Sequence, residues 1–414
     1  MTTGPTGTAT LEPLPPPEAD TGPAVRLGPR RWVRENLFGS PLDSVLTVVF
    51  GLLLAYVIYR GLRFALLSGR WEIIRVNLTN FTIGRFPREQ IPRLWAAIFV
   101  AAAGIGLGSG MTAAAGPTSK PVDTVRRLAP LVVLIVVLLS MARTPTPALL
   151  TLCGVAALAG AHVLGRRLPG RLARRVPWVY LGTVLAVFVV LTQFGGVAWN
   201  AWGGLLLTLF LAVAGIALSF PIGVLLALGR RSSFPAVRVV CVGYIELIRG
   251  VPLITLLFMA GFALGFFLPV GVPRPGLVTR ALVAFVAFTA AYVAEIVRGG
   301  LQGVPSGQVE AAQAIGLSPL KTTRLIVLPQ ALRNVIPALV GQFISLFKDT
   351  SLVSFLAVLE ILSVAQLVTQ QDDFRGQGLQ AEALVFVSFI YWTFCFAMSR
   401  ASQRLERRLA VGER

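Results

Sequence analysis

Residues 310–329 read EAAQAIGLSPLKTTRLIVLP. Apolar runs flank them, yet Gln308, Glu310, Gln313, Lys321, Thr322, Thr323 and Arg324 give the stretch a water-exposed character. Pro305 and Gly307 open it, and Gly316 to Pro319 place a Gly-Leu-Ser-Pro break in its middle. Glycine and proline end helices for backbone reasons, so this spacing predicts two short helices joined by a turn. Glu310 falls near the start of the first, where a carboxylate meets the positive end of the helix dipole. A polar elbow between apolar runs needs a reason, and docking against another chain supplies one.

Around the elbow the composition is that of a membrane protein. Of 414 residues, 55% are hydrophobic and 13% charged, and the mean hydropathy is +0.76, a combination few soluble domains reach. The formal charge of +19 does not indicate a nucleic-acid partner, because the arginines cluster between apolar runs as they do in cytoplasmic loops. Cys153, Cys241 and Cys395 lie far apart in apolar surroundings and fit neither a disulfide framework nor a thiolate metal site. With His162 the single histidine, no metal site is expected. A phosphate-binding loop needs Gly-Lys followed by Ser or Thr. The three lysines, Lys120, Lys321 and Lys348, follow Ser, Leu and Phe, so an ATP-driven process would need another chain to bind the nucleotide.

Working outward, residues 1–40 read as a disordered cytoplasmic tail, Pro-, Thr- and Gly-rich over its first 25 and without a signal-peptide core. Ten spans are expected, at about 44–59, 94–115, 128–142, 146–164, 178–195, 203–228, 240–270, 279–297, 334–364 and 383–399, with eight as the alternative count. Arg26, Arg30, Arg31 and Arg34 place the N-terminus inside; Arg166, Arg167, Arg171, Arg174 and Arg175, then Arg230, Arg231 and Arg238, mark further inner loops. Arg400, Arg404, Arg407 and Arg408 face inside as well, and Asp372, Asp373 and Glu382 fall outside. One loop objects to this alternation. Residues 60–93 should lie outside yet carry Arg60, Arg63, Arg70, Arg75, Arg85, Arg88 and Arg93. With Trp71, Phe81, Phe86, Pro87 and Pro92 the loop reads as folded and amphipathic. The small-residue run Ala101–Gly116 suits close helix packing.

Glu310-Ala311-Ala312, then Gly316, then Ile326, Leu328 and Pro329 stand at the spacing of the EAA loop and resemble ABC importer permeases of type I. In that family the loop forms a coupling helix seated in a cleft of a separate ATPase. The resemblance implies an all-α integral membrane protein, a polytopic helical bundle with a type I ABC importer transmembrane core. Only one such loop is present, so one transport core is expected at 199–405, with its elbow at 305–330. Before it lies an N-terminal transmembrane extension at 41–198 of about five spans, and after it a tail at 406–414. The 60–93 segment resembles the one after the first span in larger permeases of the general L-amino-acid type.

Three clusters are candidates for the transport path. Glu246 and Arg249, and again Glu295 and Arg298, are spaced i, i+3, as helix-borne ion pairs are. ELIRGVP, Glu246 to Pro252, resembles the Arg-Gly-x-Pro signature of polar-amino-acid permeases, with Gly250 and Pro252 as a hinge or gate. Lys348-Asp349-Thr350-Ser351 falls about 21 Å along the span expected from 334, where adjacent charges must face protein or water rather than lipid. Lys348 could meet a substrate carboxylate and Asp349 its ammonium; an inter-subunit or inter-helix ion pair is the structural alternative. The resemblance implies a histidine/glutamine/general L-amino-acid importer subunit in the bacterial cytoplasmic (inner) membrane, not itself an enzyme and without a cofactor of its own. Its implied partners are two cytosolic ATP-binding subunits carrying ATP and Mg, a second permease (related or self), a periplasmic amino-acid-binding protein, an amino-acid substrate and lipid. An ion-coupled secondary transporter, with Asp349, Glu295 and Glu246 as its ionisable relay, is the alternative.

Overall fold

The computed structural model describes residues 28–114, 132–142, 145–269 and 271–410. The expected tail falls largely outside these, as do residues 128–131 of one expected span and 411–414 at the C-terminus. Among the described residues the regular structure is helical, apart from one isolated parallel bridge between Gly204 and Glu360. The chain forms two compact units, 1–69 and 70–414.

In the first unit, α1 (Pro29–Leu37) leads into α2 (Pro41–Arg63). Ser40 caps α2, accepting the Asp43 amide at 3.1 Å, and Pro41 occupies the first turn, where its missing N–H costs nothing. No residue of α2 is buried, as suits an apolar helix whose solvent is lipid.

The second unit runs α3 (Glu72–Ile83), α4 (Ile91–Ala114), α5 (Val132–Met141), α6 (Thr146–Arg167) and α7 (Val176–Thr192). The core follows as α8 (Gly204–Arg230), α9 (Pro235–Gly250), α10 (Leu253–Phe258), α11 (Leu264–Phe267) and α12 (Leu277–Gln302). It ends with α13 (Ser306–Ala314), α14 (Pro319–Thr322), α15 (Leu328–Asp349), α16 (Ile361–Val368) and α17 (Gln380–Ala410). Helix α12 is the central post, packed against α8, α9 and α15, with Phe285, Ala290, Ala291, Val293 and Val297 wholly buried.

Across both units, eight helices among the described residues are long and apolar enough to cross a membrane. The ten expected spans differ at two places. The 240–270 stretch is not one straight crossing: α9 and the α10–α11 segment meet at a bend of 103° after Gly250. Pro252 has no amide hydrogen to continue α9 and disfavours a helical residue before it, so the helix stops there. The 128–142 stretch contributes the ten-residue α5, about 15 Å of helix and roughly half a hydrocarbon core.

The small residues of α4 do what their spacing predicts. A Cβ on Gly106 would strike the Leu158 carbonyl and one on Gly110 the His162 carbonyl, so α4 and α6 run parallel with backbones touching. Gly104 meets Thr183 and Gly108 meets Tyr180, which sets α7 antiparallel on the other side. Close approach of this kind replaces the hydrophobic drive that lipid removes.

The 60–93 loop turns out to be structural. Ile73, Ile74 and Phe81 on α3 are fully buried against Ile361, Val364 and Phe386 of α16 and α17, with the Phe81 and Phe386 rings edge to face at 5.1 Å. Asn77 and Gln371 exchange two amide hydrogen bonds of 3.1 and 3.0 Å. Several of the objecting arginines have local partners: Arg70 bonds Gln377, Arg88 bonds Asn80, and Arg93 caps α7 through the carbonyls of Val190, Gln193 and Phe194. Arg93 thus compensates the negative end of the α7 dipole.

Candidate functional site

The elbow forms largely as its punctuation predicts. Helix α13 ends in a Schellman turn: Gly316 sits at φ +80°, its amide reaches Gln313 O, and the Leu317 amide reaches Ala312 O at 3.1 Å. The second short helix is not separate. From Pro319 the chain continues through a π turn at Thr323–Val327 into α15, one span reaching Leu356. Pro329 explains the π turn, since its ring displaces the helical carbonyl behind it. Glu310, Ala311 and Gly316 are exposed, whereas Ala312 is buried inward; Ile326 and Leu328 are half-buried and Pro329 exposed. Ile315 and Leu320 stand out at 77% and 78% exposure on this polar knuckle.

Toward the C-terminal ends of α8, α9 and α12 the charged residues meet in one cluster, in which one of the two pairs the spacing suggests forms and the other does not. Glu295 does pair with Arg298 on its own helix, whose Nε donates at 2.9 Å. Glu246 instead accepts from Arg230 of α8 at 3.0 Å. Arg249 turns to Glu295, at 3.6 Å, and lies over the Tyr292 ring, 5.7 Å from its centroid. Arg230 also reaches Glu295, at 3.4 Å, so that carboxylate faces three arginines from three helices. The cluster fastens α8, α9 and α12 just before the 103° break.

Lys348 and Asp349 form no ion pair with each other or with another described residue of this chain. Successive helical residues point about 100° apart, and here only Lys348 and Ser351 line a cavity of about 220 Å³. Leu384, Val387, Ser388 and Tyr391 of α17 and Leu362 of α16 complete its walls. Lys348 is not 21 Å into a helix starting at 334, because α15 begins earlier and ends at Asp349. A 3₁₀ segment, Thr350–Leu356, follows and stops at Ala357, whose φ of 56° is rare for a residue with a side chain.

Behind that cavity lies a residue the sequence reading passed over. Glu360 is wholly buried; its carboxylate caps α16, accepting the Leu362 amide at 2.8 Å and the Ser363 amide at 2.7 Å. The Tyr391 hydroxyl donates to its Oε2 at 3.3 Å. Burial pushes the carboxyl up to about 7, against the opposing pull of these hydrogen bonds. Glu360 sits in the connector after the 319–356 span, beside the bridge to Gly204. A lone acid in an apolar run, three residues before a serine, was the available signal.

A helical membrane core, an exposed polar knuckle and a cavity at the far end of one continuous helix are the features to set beside known proteins. The family described as the binding-protein-dependent transport system inner membrane component matches residues 219–411. The chain is 35% identical to the glutamate/glutamine/aspartate/asparagine transport system permease protein BztC of Rhodobacter capsulatus, over 94% of this chain and 95% of that one. It belongs to this family, the amino-acid ABC transporter permeases, and is a multi-pass inner-membrane protein. The inner membrane amino-acid ABC transporter permease protein YhdY of Escherichia coli K12 is 52% identical over 51% of this chain and 57% of its own length. Among solved structures, an amino acid ABC transporter crystallised with histidines shares 31% identity over 49% of this chain and 91% of that chain, with a TM-score of 0.44.

Proposed function

We propose that this chain imports L-amino acids as one permease subunit of a complex whose ATP and magnesium bind in two separate cytosolic ATPases. A second permease subunit, related or identical, and a periplasmic amino-acid-binding protein complete it. The polar or dicarboxylic amino acids handled by the relatives are the substrate class. The observation that carries this reading is continuity: the helix that begins in the elbow at Pro319 runs to Asp349 and delivers Lys348 to the cavity. At 1.5 Å per residue that lever is about 45 Å long. Helix α12 joins the same elbow to the Glu295 cluster. ATPases closing on Glu310–Gly316 therefore move the arginine cluster and the cavity together. Gly250–Pro252 supplies the bend at which α9 and α10 can change their angle.

The test is co-purification with a candidate ATPase subunit, with Glu310→Arg and Leu320→Asp as variants. Both exposed substitutions should release the ATPase while leaving the permease folded. Retention of a stoichiometric ATPase by both variants, or uptake without any ATPase, would overturn the proposal.

A further inference from the structure

A second cavity, of about 680 Å³, opens between the start of α3 and the end of α5. Its described walls are Trp71, Glu72 and Arg75 on one side and Ser140 and Met141 on the other. Glu72 and Arg75 stand three positions apart on α3, and both are exposed. They form no ion pair with each other or with another described residue. A carboxylate and a guanidinium that could pair along one helix are thus both left for a ligand. The Ser140 hydroxyl donates to Val137 O at 2.8 Å, so its one proton is used and its oxygen can only accept. The cavity therefore sets a cationic donor, Arg75, beside two acceptors, Glu72 and Ser140, next to an indole and a thioether. The complement of that wall is a zwitterion whose cation carries N–H groups.

Its place in the fold selects the kind of zwitterion. The Glu382 carboxylate accepts the Arg70 amide at 3.1 Å, and Glu382 lies in the first turn of the membrane-crossing helix α17. Trp71, the next residue, therefore stands close to the end of a span, the depth at which tryptophan concentrates. On α5, Val132, Val136 and Ser140 succeed one another at i+4 and form one stripe that leads to the cavity. Val132 and Val136 are 44% and 58% exposed, whereas Leu134, Leu138 and Met141 pack inward against the α3 cluster. A polar cavity at a span end, continued by an open apolar stripe, has the two-part chemistry of a phospholipid. We infer that this cavity binds the headgroup of a zwitterionic phospholipid with a primary ammonium, its phosphate at Arg75 and its ammonium at Glu72 and Ser140. An acyl chain lies along the Val132–Val136 stripe. The site shares no residue with the elbow, the Glu295 cluster or the Lys348 cavity.

The experiment is lipid titration of the full-length chain in detergent, read by native mass spectrometry. The probes are phosphatidylethanolamine and phosphatidylglycerol with matched acyl chains, together with O-phosphoethanolamine and L-glutamine as soluble zwitterions. The native chain should hold one phosphatidylethanolamine about tenfold or more tightly than phosphatidylglycerol, the scale of a hydrogen bond between charged groups. Arg75→Gln should weaken phosphatidylethanolamine about tenfold, and Arg75→Lys should restore part of that loss. Glu72→Gln should abolish the preference by weakening phosphatidylethanolamine alone, with phosphatidylglycerol bound no less tightly than before. Both side chains are exposed, so the unfolding midpoints without added lipid should match the native one. Equal affinities of the native chain for the two lipids would overturn the inference, as would an unchanged phosphatidylethanolamine affinity in Arg75→Gln. A preference preserved in Glu72→Gln would overturn the ammonium assignment. Binding of O-phosphoethanolamine or L-glutamine as tightly as the lipid, and lost in Arg75→Gln, would make this a site for a soluble zwitterion and overturn the lipid assignment.

Discussion

Glu246 pairs with Arg230 on the preceding helix, at 3.0 Å, and not with Arg249 three positions along its own. The consequence is an uneven cluster in which Glu295 serves Arg230, Arg249 and Arg298 at once. Glu246 is more than half exposed at its side chain, while that of Glu295 is 23% exposed. Replacing Glu246 by Gln should therefore cost under about 1 kcal/mol, in the range of a surface pair. Glu295→Gln leaves Arg249 and Arg298 without an ion-pair partner among the described residues, Arg230 keeping Glu246, and should cost about 3 kcal/mol, as breaking a partly buried pair does. Chemical denaturation of the two variants in detergent separates these outcomes. Equal losses would show that the cluster has no centre.

Two glycines with positive φ should respond very differently to alanine. Gly84, at φ +59°, faces the backbone of Gly203 and Gly204, where a Cβ cannot fit. Gly316, at φ +80°, has nothing within 4 Å of its added Cβ. Gly316→Ala should lose only the conformational term, about 1 kcal/mol. Gly84→Ala adds a backbone collision at the junction of α3 and α8 and should lose about 3 kcal/mol or more. Thermal unfolding midpoints of the two variants decide it.

What the sequence made legible was local, and what it hid was carried by partners far along the chain. The elbow at 305–330 could be read because Pro305, Gly316 and Pro319 act on their own backbone. Of the two i, i+3 pairs, Glu295–Arg298 formed although Arg230 and Arg249 also reach that carboxylate, whereas Glu246 found Arg230 across an inter-helix gap that spacing does not encode. The arginines of 60–93 looked like a topological objection because their carbonyl and amide partners, up to 307 residues away, are invisible to a charge count. Glu360 was hidden inside an apolar run, its meaning supplied only when α16 and Tyr391 closed around it.

Helix α3 should be essential to the core although it belongs to the first half of the chain. Phe81 is completely buried between α16 and α17. Phe81→Ala should cost about 3–5 kcal/mol, the range for truncating a buried aromatic. Asn77→Leu removes one side of a reciprocal amide pair and leaves Gln371 short of both partners, at about 1–3 kcal/mol. If α3 were a loosely attached surface loop, both variants would unfold with the native protein. The check is proteolytic cleavage near Gly378 as temperature rises, which should come earlier in both.

The buried carboxyl of Glu360 makes stability depend on pH in a defined direction. Its folded-state value is about 7, above the ordinary 4.5. Between those values the folded protein keeps a proton that the unfolded chain has released, so ν is larger in the folded state and stability falls as pH rises. The contribution is complete below about pH 4.5, declines through the window to about 7, and is gone above it. A shift of this size corresponds to at most roughly 3–4 kcal/mol. The unfolding midpoint in detergent should therefore drop between pH 5 and pH 7.5 in the native protein. Glu360→Gln has no proton to lose and should flatten that slope, while its single acceptor oxygen leaves one of the Leu362 and Ser363 amides without a partner, a loss of about 1–3 kcal/mol at every pH. A Glu360→Asn control, too short to reach Tyr391, also lacks the slope and should lose more stability than Glu360→Gln at every pH. An unchanged slope in Glu360→Gln would place the titrating group elsewhere and remove Glu360 as its source.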